Sequence, residues 1–342
     1  MTLTQTTRLL SPEEIAVRAG EQAPFIRLPA RASVFADRAL RLRQLAAGHA
    51  MRDFLVFVAD LADAQHRQLQ QLPSMQMPTS AALQAAARAG LAPLQAEGAA
   101  LDPAWRAVLL QMLDRLQPRL AGSAAGAVAL RLMNADAAFL DAQAERLLSG
   151  VMLGLDLAAA PMIAAALQVC WVHTLIEVDA RFGAGSGAEH AAPFGRIDDP
   201  LVCPCCASRP TASITRVGAD DSGFRYLHCA LCATQWHMVR IKCTHCQSTK
   251  GVHYQSLQAL GGHAVPATAA RPGAVQAETC DECGHYLKIV HMEKDIEVEP
   301  VADDLASLTL DLLISEAGMA RHGVNLMLLF GDPEAGPDPG AG

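Results

Sequence analysis

Residues 229–246 read CALCATQWHMVRIKCTHC. Two Cys-x-x-Cys pairs, Cys229/Cys232 and Cys243/Cys246, flank TQWHMVRIK, a β-prone run that reads as a strand. Working outward, two further pairs appear, Cys203/Cys206 upstream and Cys280/Cys283 downstream. The chain has ten cysteines, and nine of them lie between Cys203 and Cys283. Cys205, inside the first pair, reads as a bystander; the alternative is a reactive thiol beside a metal. Cys170 stands alone in an apolar stretch and is expected to pack as a small hydrophobe.

Disulfides compete with metal as the reason for these thiols. The opening MTLTQTTRLLSPEEIA lacks a basic segment followed by an apolar one, so no export signal is read and a cytoplasmic, reducing location is expected, where structural disulfides are rare. Two residues between thiols let both sulfurs face one ion from a tight turn, and two such turns complete a tetrahedral shell. The first two pairs enclose 22 residues and the last two enclose 33. Each interval reads as a hairpin: ASITRV and FRYLH around GADDSG, then GVHYQSLQ and AVQAETC around GGHAVPATAARPGA. TQWHMVRIK and GHYLKIVHMEK follow as exit strands. One unit is used twice: knuckle, hairpin, knuckle, strand. The first metal site is therefore assigned to Cys203, Cys206, Cys229 and Cys232, and the second to Cys243, Cys246, Cys280 and Cys283. An interleaved arrangement, with Cys229/Cys232 and Cys243/Cys246 sharing an ion, is the alternative.

A tetrahedral set of four thiolates suits zinc or a rubredoxin-type iron. Neither shell has an open position for hydrolysis. The residue after the second cysteine of such a knuckle favours Gly, because the turn visits positive φ. Only Gly284 meets this, and Ala207, Ala233 and Gln247 suggest looser knuckles. Eight cysteines fill both shells, so His228, His237, His245, His253, His263, His285 and His291 read as surface or supporting residues.

The remainder is of a different character. The 342 residues are 51% hydrophobic and 18% charged, with a net charge of −8. Residues 33–180 are Ala- and Leu-rich with helical spacing, including Leu40, Leu45, Phe54, Leu55, Val58 and Leu61. Asp102 with Pro103, and Ser123, read as helix starts. LAAAPMIAAALQVCWVHTLI, residues 157–176, is long enough to span a bilayer, but its Ala content, Pro161, Gln168 and His173 favour a buried helix of a soluble bundle, and no transmembrane segment is expected. In VEPVADDLASLTLDLL, a packed helix needs only Leu305, Leu308 and Leu312. Glu299, Asp303 and Asp304 are then either a capped helix start or a client-binding surface. The expected class is α+β: a helical domain at 1–182, a linker at 183–200, a double tetracysteine β module at 201–298, a C-terminal helical segment at 299–331 and a disordered tail at 332–342.

The chain resembles the FdhE family of formate dehydrogenase accessory proteins. The resemblance rests on APFIRLPARASVFADRALRLRQLAAGHAMRDFLVFVADLA, LVCPCCASRP, RYLHCALCATQWHMVRIKCTHC and EPVADDLASLTLDLLISEAGMARHGVNLMLLFG, and covers most of residues 23–331. It implies a cytoplasmic, non-enzymatic maturation factor for the catalytic subunit of respiratory, molybdenum-containing formate dehydrogenase, acting before twin-arginine export. It also implies rubredoxin-like iron at the eight paired cysteines, which shifts the expected metal from zinc toward iron. The chain departs from the family pattern at Ala207, where Gly is expected, and at Leu326, where Pro is expected.

Two other classes compete. A zinc-ribbon nucleic-acid binder would need positive charge, but residues 201–300 hold 9 Lys and Arg against 9 Asp and Glu. Two divalent ions in four-thiolate shells would leave about −4, the wrong sign for phosphate despite Arg240, Lys242 and Lys250. A thiol–disulfide oxidoreductase would place one exposed Cys-x-x-Cys at a helix N-terminus.

Overall fold

The structure, a computed structural model, describes residues 24–72, 75–183, 193–218, 223–257 and 271–330. The opening segment, the tail at 332–342, His263 and the centres of the 183–200 linker and of both hairpin loops lie outside these residues. Among the described residues, seven helices form the first half: α1 (Val34–Ala46), α2 (Arg52–Gln70), α3 (Ser80–Arg88), α4 (Ala104–Leu120), α5 (Ala124–Met133), α6 (Ala137–Ser149) and α7 (Ala160–Phe182). Three of them start at a side-chain cap. Thr79, Ser123 and Asp136 accept from the backbone N–H of Ala82, Gly126 and Phe139. Asp102, expected as a cap, lies two residues before its helix, whose cap position is Pro103, and accepts from Ala104 N at 2.9 Å.

The all-round apolar α7 is the central helix. By length and composition it could cross a membrane, but 67% of its apolar window is buried among its neighbours. It packs on α2, α4 and α6. Its one internal amide, Gln168, accepts from Gln65 at 2.8 Å and donates to Ala230 O at 2.7 Å, so no buried polar atom of that side chain is wasted. Cys170 is buried beside it, and burial pushes its thiol pKa up to about 12. On α1 and α2 the buried face is Phe35, Ala39, Leu42, Leu45, Leu55, Val58 and Leu61. Leu40, expected in the core, is 58% exposed. The α1 stripe runs through Leu42 instead, because two arginines occupy the adjoining inward positions.

The second half is built on one sheet. Its strands are β1 (Ile26–Arg27), β2 (Pro210–Thr215), β3 (Arg225–Cys229), β4 (Gln235–His237), β5 (Val252–Gln255), β6 (Val275–Cys280), β7 (His285–His291) and β8 (Ala320–Arg321). The order is β1-β4-β3-β2-β7-β6-β5, with β8 also paired to β7. The expected repeat is visible as two antiparallel three-stranded units, β2-β3-β4 and β5-β6-β7. They fuse through a parallel seam in which Ser213, Ile214 and Thr215 pair with Ile289, Val290 and His291. A single hydrophobic cluster runs from Phe35 through α7 to Leu227, Trp236 and Met327, and it includes Cys203, Cys206, Cys229 and Cys232. Helices and sheet therefore share a core.

The C-terminal helix is two short helices, α8 (Pro300–Ala306) and α9 (Leu308–Glu316). They break at Ser307, whose hydroxyl donates to Asp303 O at 2.7 Å. Gly318, at φ +85°, ends the segment in the left-handed region. The inward positions of α9 are Leu310 and Ile314, while Leu312 is 57% exposed. The break rotates the expected stripe.

The acidic residues before this break face inward. The cap of α8 is Glu299, which accepts from Ala302 N at 2.7 Å, while Glu299 N donates to Asp303 at 2.8 Å. Neither Asp303 nor Asp304 is the cap. Asp303 forms a two-pronged pair with Arg41 of α1 at 2.7 and 2.9 Å, and Asp295 joins it at 2.9 Å. Glu299 also takes Arg38 at 3.1 Å. Asp304 is shared by Lys288 at 2.9 Å, Arg321 at 2.8 Å and Asn325 at 2.8 Å. The Asp303 and Asp304 side chains are 0% and 2% exposed, so they have no carboxylate edge to offer a client. Burial disfavours the Asp304 carboxylate, yet Lys288 and Arg321 hold its pKa below the usual range. Its share of stability is present at neutral pH and is lost as pH falls through that lowered value.

Replacing Asp304 with Ala leaves Lys288 and Arg321 buried against Asp311 alone. The expected loss is about 3–5 kcal/mol of folding free energy. Urea unfolding at neutral pH followed by circular dichroism measures it, and a loss below about 1 kcal/mol would contradict the reading.

Candidate metal centres

Each centre is assembled from two turns at strand ends. In the first, Cys203 N donates to Ser208 O at 2.9 Å and Ala207 N donates back to Cys203 O at 2.8 Å. Cys243 with Ser248 and Gln247 repeats this at 2.8 and 3.1 Å. Such a closed turn forces the residue after the second cysteine into the left-handed region. Ala207, Ala233, Gln247 and Gly284 sit at φ +60°, +58°, +61° and +68°. The first three are the only non-glycine residues with positive φ among the described residues. The knuckles are thus not loosened by lacking Gly, as the sequence suggests; they keep the same turn and carry strain of about 1–2 kcal/mol per residue.

The sulfurs meet in the expected sets, not the interleaved ones. Cys203–Cys232, Cys206–Cys229 and Cys206–Cys232 lie 3.5, 3.4 and 3.5 Å apart. Cys243–Cys283 and Cys246–Cys280 lie 3.7 and 3.8 Å apart. A tetrahedron with metal–sulfur bonds of about 2.3 Å has edges of about 3.8 Å. Both sets therefore have the size and donor chemistry to hold a metal ion. Their protonation agrees. Burial pushes the thiols of Cys203, Cys229 and Cys232 up, while S–H donors from its neighbours hold Cys206 down despite its own burial. A divalent ion would offset the desolvation and let all four bind as thiolates. Backbone N–H groups of Leu231 and Cys232, both 3.4 Å from Cys229 Sγ, supply further donors to the charged form.

The two centres differ in surroundings. In the first, all four cysteines are at most 1% exposed. The helical half closes over it: Leu94 N and Ala96 N donate to the carbonyls of Cys205 and Cys206 at 2.8 and 3.0 Å. Cys205 is buried there as well, with its thiol shut off from solvent. In the second, Cys246 is exposed and Cys283 half-buried. There the Cys246 thiol is pulled down, chiefly by the Ser248 N–H, while burial raises Cys243 and Cys283.

A buried ion pair that the sequence reading did not find ties the centres together. Arg225, at the start of the strand that delivers Cys229, pairs with Glu278 at 2.9 Å, two residues before Cys280. The same guanidinium donates to Lys242 O at 3.0 Å, next to Cys243, and to Ser213 at 3.1 Å. Both side chains are nearly fully buried. A lone Arg and a lone Glu 53 positions apart carry no spacing signal. The histidines separate by environment. His228 is buried and neutral, its pKa lowered to about 3 by burial and nearby Arg38 and Arg216. His237 packs edge-on against Phe224, His253 pairs with Asp281 and His291 bonds Thr215. Among the described residues none of the four Cys-x-x-Cys pairs opens a helix, as an oxidoreductase would require.

Profiles of FdhE match the chain in three consecutive parts: the N-terminal part over residues 23–186, the central domain over 202–240 and the C-terminal domain over 241–328. A protein FdhE homolog of Cronobacter sakazakii is 37% identical over 319 residues, covering 93% of this chain and 95% of the relative. The chain belongs to the FdhE family. Protein FdhE of Salmonella dublin is 35% identical over the same length, with the same coverage. The crystal structure of the FdhE protein from Pseudomonas aeruginosa superposes with a TM-score of 0.72 at 36% identity, covering 90% of this chain and all of that one. The FdhE profile boundary at 240/241 falls between the two knuckle units, in the segment Arg225 holds. Leu326 is buried next to Asn325, which reaches Asp304 and Val301 O.

Gln247 is exposed, so Gln247→Gly removes left-handed strain without losing a packed contact. It should stabilise the protein by about 0.5–1 kcal/mol, net of glycine's greater freedom when unfolded; a fall in melting temperature would contradict the turn geometry. The unequal burial predicts biphasic metal release. A chromogenic chelator should remove one ion quickly, from the second centre, and the other only on unfolding. Cys243→Ser should abolish the fast phase and keep the slow one, and a single phase in the wild-type chain would show that the centres are equivalent.

Proposed function

We propose that this FdhE-family chain is a cytoplasmic maturation factor acting on the catalytic subunit of respiratory, molybdenum-containing formate dehydrogenase before twin-arginine export, with iron in both tetracysteine centres and no catalytic role of its own. The observation that carries the reading is the combination of family membership over 93% of the chain with two complete tetracysteine shells of the size a tetrahedral ion needs. Four soft donors per shell fit iron or zinc. The shells leave no position for a substrate, which supports a structural or one-electron role over hydrolysis. The burial of Glu299, Asp303 and Asp304 gives no support to client contact through their carboxylates.

Expressed in a bacterium lacking its own FdhE, the chain should restore respiratory formate dehydrogenase activity and co-purify with the catalytic subunit. Anaerobically purified protein should hold two irons with ferric-thiolate absorption after air oxidation. Restored activity with zinc alone in both centres would overturn the iron assignment. Failure to restore activity by a folded, metal-loaded chain would overturn the maturation role.

A further inference from the structure

The second centre carries a feature that the first lacks. His245 lies inside its first knuckle and His285 two residues past its second. By the repeat, the equivalent positions in the first centre are Cys205 and Thr234. The His245 and His285 rings stack at 3.6 Å with 7° between their planes. A ring nitrogen of each lies within 4.8 Å of the other and of Cys283 Sγ. His285 Nδ1 donates to Cys283 O at 2.8 Å, which leaves its Nε2 as the basic nitrogen. Behind them His322 meets His245 edge-on at 5.2 Å. Its Nε2 is buried and has no hydrogen-bond partner among the described residues. His322 is held there by pairing of β8 with β7 and by Gly323, where an added Cβ would lie 2.5 Å from Thr211 O. His245 is exposed and His285 half-buried, so the pair links solvent to Cys283, with His322 buried behind His245.

We propose that His245, His285 and Cys283 form an entry site that captures a divalent first-row cation and passes it into the second tetracysteine centre. The inference rests on that centre holding an ion. With one ring turned out of the stack so that both nitrogens face the ion, the donor set is one thiolate and two imidazoles, which suits a borderline cation and leaves a fourth position for water or a carrier. Cys283 belongs to both sets, so the ion need not leave the protein between them. Cys283 gives up its proton to water as it captures the ion; as Cys243, Cys246 and Cys280 then bind, their protons follow and the imidazoles are released. A tetracysteine shell is complete without the two stacked rings, which separates capture from a structural role. The first centre, closed by the helical half, has no such approach and fills as the chain folds.

The test uses the full-length chain and cobalt(II) alone, under anaerobic conditions. After the second centre is emptied with a chelator, cobalt uptake is followed by sulfur-to-cobalt absorption. In a His245→Asn/His285→Asn variant, uptake at the second centre should slow about tenfold or more, while the endpoint stays at two ions and the melting temperature stays unchanged. In a Cys246→Ser/Cys280→Ser variant, one cobalt should still bind with a spectrum weaker in thiolate character, and adding both histidine substitutions should remove it. Uptake at the wild-type rate in the double-histidine variant overturns the proposal. So does loss of the second ion at equilibrium in that variant, which makes the histidines structural. A wild-type chain that takes up no cobalt after chelation, or that holds only one metal ion in total, would instead overturn the two-centre reading beneath it.

Discussion

Four thiols whose sulfurs all lie within 4.8 Å of one another in a buried core cannot all ionise unaided. A single divalent cation resolves this, and its place decides much of the rest. The first centre lies where α7, the 94–96 segment and β3 converge, inside the cluster that also contains Trp105 and Trp236. Ion binding there couples directly to the packing of the helices, since the carbonyls of Cys205, Cys206 and Ala230 are hydrogen-bond acceptors for the helical half. In the described structure the first knuckle unit does not stand apart from the bundle.

The second unit repeats the first in strand order and turn geometry but not in environment. Its cysteines sit at the rim of the sheet, and Cys246 is open to solvent. The parallel β2–β7 seam and the Arg225–Glu278 pair transmit position between the two units. One centre is thereby buried in the shared core, while the other sits partly open at the rim. The same four-thiolate set meets two environments, in which desolvation rather than the ligands differs.

Internal charge joins the ends of the chain. Arg38 and Arg41 from α1 meet Glu299 and Asp303 at the start of α8, about 260 residues later. Lys288 and Arg321 enclose Asp304 from the sheet side. Such networks cost desolvation and return it only when every partner is present. Here the partners are complete, down to Asn325 and Ser307. This explains why an acidic run that looks excessive for a helix start accompanies an arginine-rich first helix.

Much of the metal chemistry was determined by the sequence alone. Pair spacing, intervals of 22 and 33 residues and flanking β-prone runs are local signals, and local signals set the turns, hairpins and sulfur sets. Ser123 and Asp102 were legible as helix starts for the same reason. Tertiary structure decided what depends on distant partners. Leu40 and Leu312 fit an apolar stripe by period, yet neighbouring elements placed them outside. Ala207, Ala233 and Gln247 look permissive as letters, but the ion-sized turn imposes φ near +60° whatever the residue. Asp303 and Asp304 read as surface charge until Arg41, Lys288 and Arg321 arrive from elsewhere in the chain. The unequal burial of two sequence-similar centres has the same origin: a covering segment, residues 94–96, whose contact with Cys205 and Cys206 no spacing encodes.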